Sequence, residues 1–126
     1  MNVALVVYVA LGGALGSMLR FLLSQAVHRY TAAGFPYGTF TVNILGCAAF
    51  GLIVGFGEER IALTPAIRAF FLVGILGGFT TFSAFTFDTL ELLRTAAFLR
   101  AAINVLGQIT FGLAALWLGY IAAKLV

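Results

Sequence analysis

Charge is what this chain most lacks: Asp, Glu, Lys and Arg make up 9% of its 126 residues, where a soluble domain carries roughly a quarter. Cysteine is nearly absent too. With Cys47 alone, no internal disulfide and no cysteine cluster for a metal can form, and the residue reads as a small buried side chain in an apolar run. The two prolines, Pro36 and Pro65, both fall outside the long apolar runs. The formal net charge of +3 comes from basic residues scattered at the ends of those runs, without the patch or groove that a nucleic-acid partner requires.

What is present is hydrophobic length. The chain is 63% hydrophobic with a mean hydropathy of +1.13. Its apolar runs repeatedly exceed the roughly 20 residues that cross a bilayer as helix, and are too long and too free of polar residues for barrel strands. The expected fold class is an all-α integral membrane protein, with residues 1–126 forming a single domain of four transmembrane helices. The spans fall at about residues 3–24, 37–57, 66–86 and 99–125. The first run superficially resembles a signal peptide, but no basic residue opens it and three further spans follow, so it is expected to stay as a helix.

Small residues punctuate the spans. Gly12, Gly13 and Gly16, flanked by Ala14 and Ser17, offer the Gly-x-x-x-Gly spacing of close helix approach. Gly46, Gly51 and Gly55 suggest the same in the second span. Arg20, one turn beyond Gly16, either snorkels to the interface or pairs inside the bundle. His28, Arg29 and Tyr30 are expected to open a loop reaching Pro36. Glu58, Glu59 and Arg60 form a polar connection, and Thr64-Pro65 reads as an N-cap followed by proline at the first helical position. Asp88, Glu91, Arg94 and Arg100 are expected to mark the next boundary, leaving no carboxylate inside any span. Trp117, Tyr120 and Lys124 suggest an interfacial belt.

The third run holds the stretch around which the rest is organised: Gly74-Ile75-Leu76-Gly77-Gly78-Phe79-Thr80-Thr81-Phe82-Ser83-Ala84-Phe85. Three glycines followed by hydroxyl residues weaken a helix at membrane depth. There, non-helical backbone survives only where it is buried in protein or lines a watery cavity. Such a break frames ion sites in transporters; the alternative is a glycine-lined helix crossing without an ion. Phe82 and Phe85 are neighbours on one helix face and could present the positive edges of their rings to an anion. Thr80, Thr81, Ser83 and Thr86 supply hydroxyls. Asn43, a turn beyond Thr39, supplies an amide that faces either an anion or a neighbouring helix. Asn104 and Gln108, four residues apart, share one face of the fourth span. Neutral donors in series bind an anion firmly enough to replace its water and weakly enough to release it.

Four spans put both termini on one side. Arg29, Arg94 and Arg100 then lie on the far side, and Arg60, Arg68 and Lys124 on the terminal side. Without a positive-inside bias the chain is able to insert both ways, and oppositely oriented copies could pair as an antiparallel dimer.

The strings Gly13-Ala14-Leu15-Gly16-Ser17-Met18-Leu19-Arg20, Gly38-Thr39-Phe40-Thr41-Val42-Asn43-Ile44-Leu45-Gly46 and Gly77-Gly78-Phe79-Thr80-Thr81-Phe82-Ser83-Ala84-Phe85 resemble the three motifs of the Fluc/CrcB fluoride channels. The resemblance covers essentially the whole chain, with departures at Ala84 and Asp88. It implies a fluoride-exporting channel, not an enzyme, in the bacterial inner membrane. The channel would be an antiparallel dual-topology homodimer with two pores and a central structural sodium ion. By the same resemblance, Gly77 and Thr80 give backbone carbonyls to the sodium, Phe82 and Phe85 are the pore phenylalanines and Asn43 the pore amide, while Thr39 and Ser83 lie on or near a polar track. Two other readings compete. A proton-coupled transporter of the small multidrug resistance type looks for a carboxylate that the first span lacks. A non-conducting packing subunit or small lytic membrane protein would use its glycines for contact alone.

Overall fold

The computed structural model describes residues 2–60 and 62–126, with Glu59 described for its backbone only; the expected role of its side chain in the polar connection lies outside the described residues. Four crossings are present. Helix α1 is Val3–Tyr30 and α2 is Tyr37–Glu59. The third crossing is split into α3, residues 65–79, and α4, Phe82–Arg94, and α5 is Phe98–Leu125. All four crossings are long and apolar enough to span a membrane.

The helices overrun the expected spans because hydrocarbon thickness limits the apolar run and not the backbone hydrogen bonding. His28, Arg29 and Tyr30, expected in a loop, form the last turn of α1, where basic side chains favour the negative end of the helix dipole. The Thr31 hydroxyl then donates to the Val27 carbonyl at 2.9 Å. Likewise α4 runs on to Arg94, so Asp88 and Glu91 lie within the third crossing and not beyond it. Asp88 Oδ2 is buried with no hydrogen-bond partner among the described residues. The α4 helix ends in a Schellman pattern, with Ala96 N–H on Leu93 O at 3.0 Å and Ala97 N–H on Leu92 O at 2.8 Å. Ala96 takes the left-handed conformation usually given to glycine there. At the other end of the crossing, Thr64 caps α3 as expected, its hydroxyl accepting from Ile67 N–H at 3.3 Å ahead of Pro65.

Two tight helix pairs build the bundle: α1 lies along α3, and α2 along α5. Glycine permits both. A Cβ on Gly12 or Gly16 would meet the carbonyl oxygen of Phe70 or Ile75, and a Cβ on Gly78 would come within 2.6 Å of Gly13 O. In the second pair, a Cβ on Gly51 would strike the Leu116 carbonyl and one on Gly119 the Ala48 carbonyl. Backbone-to-backbone packing of this kind drives association where the solvent is itself apolar. Over Arg68–Leu76 the helix α3 widens to π-type hydrogen bonding, closing with Gly77 N–H on Leu72 O. At the termini side, Tyr120 donates to Glu58 Oε2 at 2.6 Å, Lys124 reaches the same oxygen at 3.2 Å, and Trp117 stacks on Tyr120. At the other side, Arg100 donates to the Gly34 carbonyl at 3.0 Å and so ties the α1–α2 loop to the start of α5.

Candidate functional site

The break falls on Thr80 and Thr81, whose backbones are extended, while Gly77 and Gly78 remain helical. The break thus lies at the threonine end of the expected glycine and threonine stretch, and Gly74 and Gly78 serve the close contact with α1. What breaks the helix is an offer of replacement partners. In a continuous helix Thr81 N–H would bond the Gly77 carbonyl. Here it donates to Asn43 Oδ1 at 2.8 Å, and Asn43 Nδ2 donates back to the Thr81 carbonyl at 3.1 Å. One side-chain amide thus satisfies both backbone groups of the residue at the break, as hydrocarbon requires. The Thr81 hydroxyl accepts from Ala84 N–H at 3.2 Å and restarts the chain as α4. The carbonyls of Gly77 and Thr80 are left without the N–H groups that a continuous helix would give them, because Thr81 N–H goes to Asn43 and Ala84 N–H to the Thr81 hydroxyl.

Two cavities meet at Thr81. The larger, of about 380 Å³, is lined by Asn43, Thr80, Phe82, Phe85, Gln108 and Cys47, among others. Cys47 is half-buried on this wall and not enclosed in packing as expected. The rings of Phe82 and Phe85 stand 5.6 Å apart at 44°, and Phe82 is 77% exposed in a single copy. The smaller cavity, of about 270 Å³, is lined by Arg20, Ser17, Ser24, Thr39 and Thr81. Arg20 neither pairs nor hydrogen-bonds with any described residue, so its charge faces this cavity among hydroxyls. Ser83 lines neither cavity; its hydroxyl sits 3.3 Å from that of Thr81.

Asn104 and Gln108 do share a face, and that face turns inward. Gln108 Nε2 donates to Asn104 Oδ1 at 2.9 Å, Asn43 Nδ2 donates to Gln108 Oε1 at 2.7 Å, and Asn104 Nδ2 donates to Thr89 Oγ1 at 2.9 Å. Thr89 was not singled out in the sequence. Its signal there is a position seven residues, or about two turns, beyond Phe82 on one helix. Among the described residues no three His, Cys, Asp or Glu side chains gather to hold a metal. A cation at this site would therefore rest on main-chain oxygen, a fit for the hard cations that prefer carbonyl ligands.

Four apolar crossings, one of them interrupted where neutral polar groups collect, define a multi-pass helical membrane protein whose broken helix frames a polar site. The family model described as "CrcB-like protein, Camphor Resistance (CrcB)" matches residues 7–120, and the chain belongs to that family. Among its relatives is the "Fluoride-specific ion channel FluC" of Nitratidesulfovibrio vulgaris (strain DSM 19637 / Miyazaki F), 48% identical over 121 residues, spanning 96% of this chain and 98% of the relative. Proteins of the same name from Methylobacillus flagellatus (strain ATCC 51484 / DSM 6875 / VKM B-1610 / KT) and Flavobacterium psychrophilum (strain ATCC 49511 / DSM 21280 / CIP 103535 / JIP02/86) are 45% and 42% identical. They cover 95% and 93% of this chain, and 94% of each relative.

Proposed function

We propose that this chain is a fluoride-selective channel of the bacterial inner membrane that exports fluoride down its electrochemical gradient. The observation that carries the reading is the cavity at the break, whose polar lining is neutral and whose wall holds the Phe82 and Phe85 rings. Full-length relatives bearing the fluoride-channel name support it. The anion is drawn to Arg20 and exchanges water for the hydroxyls of Ser17, Ser24 and Thr39. It then passes Thr81 into the second cavity, where amide donors and ring edges replace the remaining hydration without a fixed cation to trap it. Ser83 extends the hydroxyl path beyond Thr81.

The working unit is an antiparallel homodimer in the bilayer, with two pores and one central structural sodium ion. Support for a second copy comes from Phe82, exposed in one copy on the wall of an outward-opening cavity, and from the balanced basic residues on the two sides. Support for sodium comes from the released Gly77 and Thr80 carbonyls, which would hold it without any side-chain charge.

Purified protein in fluoride-loaded liposomes should show rapid, electrically driven fluoride efflux. No flux would support a packing subunit, and proton-coupled uptake of organic cations a transporter. Phe82→Ile or Phe85→Ile should lower fluoride flux by about tenfold or more while the dimer persists, through loss of the ring edge; unchanged flux in both removes the role given to the rings. The dimer has its own test. Within one copy a Cβ on Gly77 would meet only Leu72 O, at 3.8 Å, an ordinary contact. Gly77→Val is therefore expected to shift the protein to monomer on a sizing column, whereas Thr80→Ala, which leaves its carbonyl in place, should remain dimeric. A dimeric Gly77→Val would contradict sodium held at that carbonyl between copies.

A further inference from the structure

The stripe of α1 that lines the smaller cavity continues past it. Ser17, Arg20 and Ser24 lie on that wall. The next residue on the same stripe is His28, one turn beyond Ser24 and about two turns, or about 12 Å, beyond Arg20. Helix α1 ends two residues later at Tyr30, past the apolar run, so the exposed imidazole stands where this wall reaches water. The opposite wall comes from α2, through Thr39 and Val42. Between the two walls sits Gly38, where a Cβ would strike Ser24 Oγ together with Cε1 and Nδ1 of His28. The ring therefore lies against α2 in the wedge between the helices, beside the residue that precedes Thr39, and glycine leaves the room for it.

One hydrogen bond fixes which nitrogen of this ring takes a proton. Nδ1 lies 2.7 Å from the Ser24 carbonyl oxygen. A carbonyl only accepts, so Nδ1 carries the hydrogen and Nε2 is the atom that gains one in acid. The same bond holds the ring in both charge states, so protonation changes its charge and not its place. Among the described residues the imidazole makes no other hydrogen bond and no ion pair. On its own helix, Arg20 faces the cavity, Arg29 is turned about 100° round the axis and Tyr30 follows. On α2, Tyr37 precedes Gly38 and packs on Phe35. Beyond the α1–α2 loop, Asp88 and Glu91 of α4 and Arg100 of α5 line a separate cavity at Gly34. Among the described residues no carboxylate lines the smaller cavity, so none there cancels a positive charge at its mouth.

We propose that His28 is a proton-operated charge at the mouth of the smaller cavity: with Nε2 protonated it adds a second cation to that of Arg20 and speeds fluoride entry, and with Nε2 bare it leaves entry to Arg20 alone. The inference rests on the fluoride-channel reading and adds to it a residue that sets the rate of entry as pH changes. Imidazole is the side chain whose ordinary charge change falls between pH about 5 and 8, whereas a guanidinium stays charged throughout. A unit charge about 10 Å from the path of an anion in a water-like medium roughly doubles the local anion concentration. Low-dielectric cavity walls focus the field further, so a rise of about two- to fourfold is expected where entry limits flux. Salt should screen it, since the Debye length at 0.1 M is also about 10 Å.

The experiment uses full-length protein in fluoride-loaded liposomes and counts only the initial efflux that starts when a potassium ionophore is added, which is that of the charged ion and not of neutral hydrogen fluoride. Fluoride is kept below half-saturation and ionic strength low. The pH is set equal on both sides, because antiparallel copies would place a mouth on each. Between pH about 8 and about 5.5 the parent protein's flux should rise about two- to fourfold, and by less once an impermeant salt is added. His28→Gln, whose amide can still donate to the Ser24 carbonyl but takes no proton, should stay at the parent's alkaline rate at both pH values. His28→Lys, charged throughout, should stay at the parent's acid rate. A conducting parent whose flux is flat with pH, a His28→Gln protein that keeps the parent's pH profile, or a His28→Lys protein no faster than His28→Gln overturns the inference and leaves the channel reading standing. Should His28→Gln fail to fold, His28→Asn takes its place with the same expected result. A parent protein that carries no fluoride overturns the channel reading, and the inference with it.

Discussion

Asn43→Leu is expected to abolish fluoride flux and to destabilise the folded channel by several kcal/mol, because one side chain holds three of the bonds that make the break tolerable. The substitution orphans Thr81 N–H, the Thr81 carbonyl and Gln108 Oε1 together. If each were an average interhelical bond in a membrane, at about 0.6 kcal/mol, the loss would be near 2 kcal/mol. That average applies where the released groups find other partners. The two backbone groups at the break have no other partner among the described residues, and an unsatisfied buried group costs about 1–3 kcal/mol, so a total of about 3–6 kcal/mol is the better expectation. The melting temperature of the detergent-solubilised protein measures it. A second effect follows: without Asn43 the amides of Gln108 and Asn104 lose their link to the break, so flux should vanish even in the fraction that folds. Asn43→Asp should fall between, since its carboxylate still accepts from Thr81 N–H but donates to neither Thr81 O nor Gln108. An Asn43→Leu protein melting like its parent would mean that the break is held by something other than this amide.

How far such a site can be read from one sequence is visible in where the reading stopped. The four apolar runs and the existence of an interruption in the third were legible, since length and composition report directly on the bilayer. Which residue of the stretch 74–85 opens was not. Glycine lowers helix propensity in water, but in hydrocarbon a helix opens only where its backbone groups find new partners. Gly77 and Gly78 have no such partner, and Thr81 has Asn43, thirty-eight residues earlier in the chain. Which residues of two helices stand opposite one another is a matter of register, which periodicity on either helix alone does not contain. For the same reason the shared face of Asn104 and Gln108 was legible, but its contacts with Asn43 and Thr89 were not. Helix ends were misjudged through polarity: Asp88 and Glu91 look like a boundary, yet the helix carries them onward to Arg94. Arg20 was left between two fates. Its position on a hydroxyl-lined cavity beside the break depends on how closely α1 approaches α3, and the residue that controls this is a glycine one turn away.

That glycine gives the second large effect. Gly16→Leu is expected to yield no assembled channel and no flux. A Cβ at Gly16 would run into the Ile75 carbonyl oxygen and stand 2.9 Å from both Ile75 C and Phe79 N. These are backbone atoms of α3, immediately before the break, and they cannot turn aside as a side-chain tip can. Overpacking a core that can adjust costs about 1–3 kcal/mol. Here the only adjustment is to move α1 away from α3 as a whole, which gives up the close contact that holds the pair together in lipid. The same movement would draw Arg20 and Ser17 from Thr81 and open the smaller cavity, so a variant rescued in stability should still conduct poorly. Gly13→Ala is the matching control, since its Cβ would find only Gly74 O, at 4.0 Å, and both assembly and flux should stay near those of the parent. Size-exclusion profiles and liposome flux for the pair read the two outcomes separately. A Gly16→Leu protein that assembles and conducts normally would show that α1 approaches α3 less closely than the Gly12–Gly16 face indicates, and that the alignment of Arg20 with the break does not depend on this contact.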